Sequence, residues 1–425
     1  MKPTIYRTND HDIDPSLIDI DAIHIIHRLR NAGYEAYLVG GSVRDLLVKR
    51  KPKDFDISTS AKPEEIKHLF GRSCLLIGRR FRLAHLRFGH KIIEVATFRS
   101  GENDSDLIVH DNLWGTAEED VMRRDFTING LYYDPETHTV IDYVGGWEDI
   151  HKHTLRTIGD PVTRFKQDPV RMIRLIKFQA RFDFLIENKT QQALLRCQEE
   201  IIKSAPARIL EEMLRMMESG ASAPFFRLMA TFGLLEPLFP ALHYFLEGKH
   251  SDIAYRYLAA ADTINQNSGR KTLNRSVLTA CLVYPILEQE IHSKYASHQP
   301  TFAQIVTLAS SVIHGIIDSS FSRFPKKITM EAHYILATQY RLTPLGQKKQ
   351  HHHKLMHNKA FDLAFTFLKI RSLVDEHVVE AYQWWQHLYQ QIERQDEEHT
   401  PPSSDRRRKR KSLIEDEEEE EDDTP

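Results

Sequence analysis

Apolar and polar residues follow two different rhythms along the chain, and the first part mixes both. Residues 21–33 (DAIHIIHRLRNAG) have helical spacing and end at a glycine, and residues 34–41 (YEAYLVGG) then alternate like a strand. Residues 53–59 (KDFDIST) repeat the period of two. Further segments predict short helices at 42–50 and 62–70 and strands at 73–78, 82–89, 91–99 and 139–146. We therefore predict a small mixed α/β domain at the N-terminus.

From about Asp168 the pattern becomes helical, and strand signals fade. Helical spacing is clearest in PVRMIRLIKFQARF, TQQALLRCQEEIIK, ARILEEMLRMMES and FFRLMATFGLLEPLF. A chain of 425 residues has room for several domains. We predict an α+β protein in which an α/β head is followed by helices, with segments at 1–150, 151–240, 241–395 and 396–425.

The last segment differs in charge from the rest of the chain. Residues 396–425 hold 13 acidic and six basic side chains, a charge of −7, so that the overall −3 leaves +4 on the remainder. Six basic residues at 406–411 precede an unbroken acidic run at 415–423, which predicts disorder. The mildly basic body is compatible with a polyanionic partner.

Composition excludes several classes of protein. Cys74, Cys197 and Cys281 are far apart and odd in number, so they predict neither a disulfide framework nor a zinc site. No apolar run approaches the roughly 20 residues that a membrane span needs, and the polar N-terminus does not look like a secretory signal. We therefore expect a cytoplasmic protein.

The sequence D-F-D offers the clearest chemistry. In a strand, Asp54 and Asp56 point to one face while Phe55 points to the other. Paired carboxylates suit Mg²⁺, which binds them together with substrate phosphates, although two solvated aspartates near a turn are the simpler alternative. Glu94 would supply a third carboxylate if its strand lies beside D-F-D, or it pairs with a neighbouring arginine.

Two adjacent glycines lie between a predicted strand and a predicted helix. Backbone N–H groups at Gly40 and Gly41 can approach a phosphate closely, and Ser42 and Arg44 can add donors. Such a turn often serves geometry alone. The hypothesis of a phosphate-binding loop therefore depends on what lies beside it.

Two later segments carry further polar groups. In RRDFTINGL, Arg124 and Asp125 could help to hold a nucleotide, or Asp125 is a helix N-cap and Arg124 a surface charge. In QDPVRMIR, Asp168 and Arg171 share a helix face and offer the acceptor and donors that selecting a base edge requires. A simple helix cap is the competing account of Asp168.

The motifs GGSVRD, DFD, EVATFR, RRDFTIN and DPVRMIR, in that order, resemble the class II nucleotidyltransferases, the superfamily of bacterial poly(A) polymerases and CCA-adding enzymes. The segment GRRFRLAHLRF and the basic run are similar to those of the bacterial poly(A) polymerases. The resemblance implies a polymerase beta-like nucleotidyltransferase head over 1–150, a helical nucleotide- and RNA-binding neck over 151–240 and a helical RNA-binding body over 241–395.

The resemblance also implies roles for residues. Asp54 and Asp56 match the metal-binding aspartates, and Asp125 matches a further catalytic acid. Asp168 and Arg171 fall in the segment that reads the incoming base. Many relatives have an acidic residue at the position of Gln167, which puts the fine tuning of base choice in question.

The implied activity is template-independent addition of AMP from ATP to RNA 3′ ends, with pyrophosphate released and two Mg²⁺ ions, or Mn²⁺, as cofactor. A CCA-adding enzyme acting on tRNA and a noncatalytic RNA-binding protein are the alternatives. The charged tail could recruit RNA-degradation or RNA-chaperone partners. Its acidic run could also fold back on the basic run and weaken RNA binding.

Overall fold

The computed structural model describes residues 2–78, 83–100, 113–249, 251–269, 272–343 and 355–399. The disorder predicted for the charged tail concerns residues that lie outside this part of the chain, as do residues 79–82 of the segment GRRFR. Within the described ranges, no helix combines the length and the apolar character that crossing a membrane requires.

An eight-stranded sheet dominates the N-terminal part. Six of its strands lie in the segments whose alternation predicts them, whereas Thr4–Tyr6 and Leu131–Asp134 were not predicted. The strands of the chain are β1 Thr4–Tyr6, β2 Ala36–Val39, β3 Asp56–Thr59, β4 Cys74–Ile77, β5 Leu83–Phe88, β6 Lys91–Thr97, β7 Arg99–Ser100, β8 Leu113–Trp114, β9 Leu131–Asp134, β10 Thr139–Asp142, β11 Thr154–Leu155 and β12 Leu185–Ile186. The order in the large sheet is β1-β10-β9-β2-β3-β6-β5-β4. Two small sheets pair β7 with β8 and β11 with β12.

The register of the central strands sets up one row of residues across the sheet. Val39 of β2 pairs with Asp56 of the antiparallel β3, and Asp56 pairs with Glu94 of the parallel β6. Glu94 in turn lies opposite His85 of the antiparallel β5. Because directly paired residues point to the same face of a sheet, Asp56, Glu94 and His85 share one face. We call these three residues the carboxylate row.

Helices pack against the sheet along their apolar sides. Those of the head are α1 Ile20–Asn31, α2 Gly41–Leu47, α3 Pro63–Phe70, α4 Ala117–Met122 and α5 Gly146–His151. The side chain of Asp19 caps α1 by accepting a hydrogen bond from the Asp21 N–H at 2.9 Å. The buried positions Ala22, Ile25, Ile26 and Leu29 repeat at helical spacing, as the sequence predicts.

The remainder of the described chain is mainly helical. Its helices are α6 Pro161–Gln167, α7 Val170–Phe182, α8 Asn188–Arg196, α9 Pro206–Glu218, α10 Ser222–Thr231, α11 Leu235–Leu238, α12 Pro240–Leu246, α13 Ser251–Asn267, α14 Arg275–Lys294, α15 Phe302–Asp318, α16 Lys326–Leu342, α17 Phe361–Val374 and α18 Val379–His399. The strands β11 and β12 interrupt the predicted run of helices. The sequence did not predict them, because two residues are too few to show a period of two. Helix α18 also continues into residues 396–399, which we assigned to the tail.

One hydrophobic core runs from the sheet into the helices. Ile57 of β3, Phe178 of α7 and Leu214 of α9 belong to the same cluster of buried side chains. The sheet that carries the carboxylate row is therefore braced by helices of the C-terminal part.

Candidate active site

The glycine turn follows β2 directly. Gly40 has φ +70° and ψ −125°, a backbone conformation that side chains with a Cβ rarely adopt. A Cβ at this position would also lie 3.3 Å from Nη1 of Arg124. Ser42 is buried, and its Oγ donates a hydrogen bond to the Val39 carbonyl at 3.2 Å, so its hydroxyl closes the turn. The turn thus brings bare backbone close to an arginine.

The D-F-D segment alternates as predicted, although its strand begins at Asp56 and leaves Asp54 just before it. Asp54 and Asp56 are exposed, whereas Phe55 and Ile57 are buried in the core. Within the described part of the chain, neither carboxylate forms a hydrogen bond or an ion pair. Although the side chain of Asp56 is exposed, the surrounding protein reduces the hydration of its carboxylate, and this desolvation raises the pKa of Asp56 to about 6. The charges of Glu94 and Asp54 add to this increase, and that of Arg124 opposes it.

Glu94 lies beside Asp56, on the adjacent strand, as the predicted metal site requires. Among the described residues the ion-pair partner of Glu94 is His85 and not an arginine, since Nε2 of His85 lies 3.3 Å from Oε1 of Glu94. Among the residues that the structure describes, no three His, Cys, Asp or Glu side chains gather closely enough to form a complete metal shell. Asp54, Asp56 and Glu94 are all exposed, and by themselves they do not surround a single metal position.

Arg124 is not a surface charge. Its Nη2 donates to Oδ2 of Asp120 at 2.9 Å and to Oγ of Ser58 at 3.3 Å. Nε is buried without a hydrogen-bond partner in the described residues, and Nη1 faces the backbone of Gly40. Arg124 therefore lies between the glycine turn and the strand of Asp56.

Asp125 is not a helix N-cap, because Phe126 occupies that position before the short helix Thr127–Asn129. Asp125 is instead buried inside the protein. Its Oδ1 accepts hydrogen bonds from the Phe126 N–H at 2.8 Å and from Nδ2 of Asn129 at 3.0 Å. Nη2 of Arg174 lies 2.9 Å from Oδ2, an ion pair without hydrogen-bond alignment. Burial alone would raise the pKa of Asp125, but the charge of Arg174 and these hydrogen bonds hold it below its usual range.

Arg44 lies beneath the glycine turn. Its Nε and Nη2 donate to Oδ1 of Asp45 at 3.0 and 2.7 Å, and its Nη1 donates to Oδ1 of Asn129 at 2.5 Å. The guanidinium carbon also lies 5.0 and 4.8 Å from the ring centres of Phe178 and Phe182. Since all three nitrogens donate inside the protein and the residue is 4% exposed, Arg44 is placed to hold the turn from below.

Asp168 and Arg171 come together at the start of α7. Oδ2 of Asp168 accepts from Nη2 of Arg208 at 2.9 Å, while Oδ1 is buried without a hydrogen-bond partner in the described residues. Arg171 is buried and donates to the backbone carbonyls of Arg164 at 3.3 Å and Arg123 at 3.2 Å. Burial lowers the pKa of Arg171, and the charge of Asp168 opposes that shift.

Three residues of this region escaped the sequence-based prediction. Asn129 and Arg174 had a local signal, since they lie four residues after Asp125 and three after Arg171. Arg208 lies on another helix, 40 residues from Asp168, and no spacing in the sequence indicates their contact.

Exposed carboxylates beside a glycine turn and a buried arginine suit a nucleotidyltransferase, whose substrate brings phosphates and a divalent cation. Solved structures share the fold of this chain. The Bacillus stearothermophilus CCA-adding enzyme in complex with CTP matches with a TM-score of 0.58 and 24% identity, covering 86% of this chain and 80% of that one. At this identity the match shows the fold alone.

The chain belongs to the poly(A) polymerase family. Family models match "Poly A polymerase head domain" at residues 36–156, "Probable RNA and SrmB- binding site of polymerase A" at 183–246 and "Polymerase A arginine-rich C-terminus" at 309–415. Poly(A) polymerase I of Haemophilus influenzae is 34% identical over 91% of this chain and 88% of its own length. Poly(A) polymerase I of Escherichia coli O6:H1 is 37% identical over 90% and 85%.

The CCA-adding enzyme of Lactobacillus helveticus is 41% identical, but the match covers 46% of this chain and 49% of that enzyme. These comparisons confirm the predicted family. They also confirm the predicted fold, with a nucleotidyltransferase head followed by helices.

Proposed function

We propose that this protein adds AMP from ATP to RNA 3′ ends without a template and releases pyrophosphate. The observation that carries the proposal is the reach of the similarity. Poly(A) polymerase I relatives match about nine tenths of the chain, into the C-terminal part, whereas the CCA-adding relatives match about half. The greater reach of the match to the poly(A) polymerases favours poly(A) addition.

The exposed carboxylates of the head fit a divalent cation. Asp54 and Asp56 have no protein partner in the described ranges, and repulsion by Glu94 and Asp54 adds to the cost of the charge on Asp56. Hard cations such as Mg²⁺ or Mn²⁺ prefer such oxygen ligands. We assign Asp54 and Asp56, with Glu94 as the third candidate, to two ions. When bound, these ions would activate the RNA 3′ hydroxyl and stabilise the leaving pyrophosphate.

The glycine turn and Arg124 would bind the triphosphate. Gly40 and Gly41 carry no side chains of their own, and Nη1 of Arg124 lies next to Gly40. Arg44, Ser42 and Asp125 act from behind, because their polar atoms hold the turn and its neighbours. In this proposal Asp125, expected to be a catalytic acid, keeps a negative charge that orients Asn129 and Arg174.

Asp168 and Arg171 would select adenine. Oδ1 of Asp168, which has no hydrogen-bond partner among the described residues, would accept a hydrogen bond from the exocyclic amino group, and the guanidinium of Arg171 would donate to a ring nitrogen. Arg208 fixes Asp168 through Oδ2 and leaves the other oxygen for the base. This division of the carboxylate is what the structure adds to the base-reading motif.

The division of labour along the chain follows the segments given above. We propose that residues 1–150 carry out the chemistry, that 151–240 bind nucleotide and RNA, and that 241–395 bind RNA. The tail over 396–425 is proposed to adjust RNA affinity or recruit partners of RNA decay. We place the enzyme in the cytoplasm, where ATP and RNA 3′ ends meet.

One assay tests the proposal. The purified chain receives ATP, CTP or both with Mg²⁺, together with either a tRNA that ends before CCA or an unrelated RNA. Long A tails on the unrelated RNA are expected, and Asp54→Ala should abolish them while thermal unfolding stays unchanged. Finite C-C-A addition confined to the tRNA would instead establish the CCA-adding alternative. RNA binding without incorporation would establish a noncatalytic protein.

A further inference from the structure

His85 extends the carboxylate row beyond the predicted site. It lies on β5 directly opposite Glu94, which lies opposite Asp56 on β3. The three side chains therefore share one face, with Glu94 in the middle. On its other side, Oε1 of Glu94 lies 3.3 Å from Nε2 of His85.

The two partners differ in how firmly the protein holds them. The side chain of Glu94 is 50% exposed, whereas that of His85 is 18% exposed and leaves the ring few alternative positions. A half-exposed glutamate samples several rotamers, and a metal ligand must be fixed in one of them. An anchored ring nitrogen in contact with Oε1 restricts Glu94 and leaves its second oxygen, Oε2, for another ligand.

We propose that His85 is a positioning residue, which holds Glu94 in the orientation that binds a divalent cation together with Asp56. The inference rests on the proposed function, because it takes the carboxylates to be the metal site. It also takes Glu94 as a ligand and attributes its orientation to His85, which lies in the segment GRRFRLAHLRF but has no role assigned by the family resemblance. His85 itself does not contact the ion.

The test measures Mn²⁺ binding directly, by electron paramagnetic resonance of the free ion, on the full chain without nucleotide. His85→Ala is expected to weaken Mn²⁺ binding about tenfold, as is typical when a residue that orients a metal ligand is removed. His85→Gln keeps an N–H donor and should recover much of the affinity. His90→Ala is the matched control, since His90 is exposed in the turn after β5.

A double-mutant cycle separates this role from a general effect on folding. In a Glu94→Gln background, His85→Ala should no longer change Mn²⁺ affinity, because the ligand through which it acts is gone. An unchanged affinity in His85→Ala, or an equal loss in both backgrounds, would overturn the inference. A His85→Gln variant as weak as His85→Ala would do the same. If instead Asp56→Ala binds Mn²⁺ normally, the metal assignment of the proposed function fails.

Discussion

Removing the side chain of Asn129 should loosen the glycine turn from behind. Asn129 is buried, and its amide links two charged groups, since Nδ2 donates to Asp125 at 3.0 Å and Oδ1 accepts from Arg44 at 2.5 Å. Asn129→Ala leaves both charges without this partner. Hydrogen bonds to charged groups contribute about 1.5 to 3 kcal/mol each.

We take the lower end of that range for both hydrogen bonds. Asp125 keeps Arg174 and the Phe126 N–H, and Arg44 keeps Asp45. The loss of unfolding free energy is then about 3 kcal/mol, which lowers Tm by roughly 6 to 12 °C if the head behaves as a domain of its size.

Activity should fall as well, because the turn that would bind the triphosphate loses its support. A displacement of reacting groups by about 1 Å can cost up to a hundredfold in rate, so we expect AMP incorporation to drop by about tenfold or more. Differential scanning fluorimetry and initial rates at a temperature well below both transitions measure the two effects. Asn188→Ala, at an exposed position, is the control and should stay within about 0.5 kcal/mol of wild type. An Asn129→Ala variant with the Tm and rate of that control would refute the reasoning.

Three further predictions concern charge. Because the pKa of Asp56 is raised to about 6, its charged carboxylate destabilises the folded state above that pH. Asp56→Asn should therefore raise the Tm of the metal-free protein at pH 8, and this gain in Tm should disappear as the pH falls through 6 toward 4. A difference in Tm that stays constant with pH would argue against the raised pKa. Arg208→Ala should raise KM for ATP and reduce the preference for ATP over CTP. The Tm should change little, since the Arg208 side chain is 57% exposed. An unaltered preference for ATP over CTP would show that Arg208 has no part in base choice. Deleting 415–425 should strengthen RNA binding most at low salt, and an unchanged salt dependence would exclude competition by the acidic run.

Sequence patterns predicted the direction of side chains within a strand, but they did not predict contacts between residues far apart in the sequence. The alternation of D-F-D requires Asp54 and Asp56 to face solvent when Phe55 is buried, and the structure places them so. For Arg44 the spacing could not distinguish a phosphate ligand from an internal brace. That choice depends on Asn129, which lies 85 residues away and reaches Arg44 only in the folded sheet.

Asp125 and Asp168 show the same limit in opposite ways. The sequence allows each of them to be either a functional acid or a helix cap. In the structure neither side chain caps a helix. Asp125 is enclosed by Asn129 and Arg174, whereas Asp168 keeps one oxygen without a partner in the described residues. The difference is set by helices that meet only in the fold, so no local pattern could predict it.

One face of α7 joins the parts of the proposed site. Arg174 contacts Asp125, Phe178 packs against Arg44, and Arg181 lies 3.3 Å from Asp45. Intervals of three and four residues place these side chains, and Arg171 before them, along one stripe of the helix. The same stripe therefore carries Arg171 of the proposed base-reading pair near its start and braces the glycine turn further along. Because a helix moves as a rigid element over such a length, a change that tilts α7 should alter base choice and triphosphate binding together.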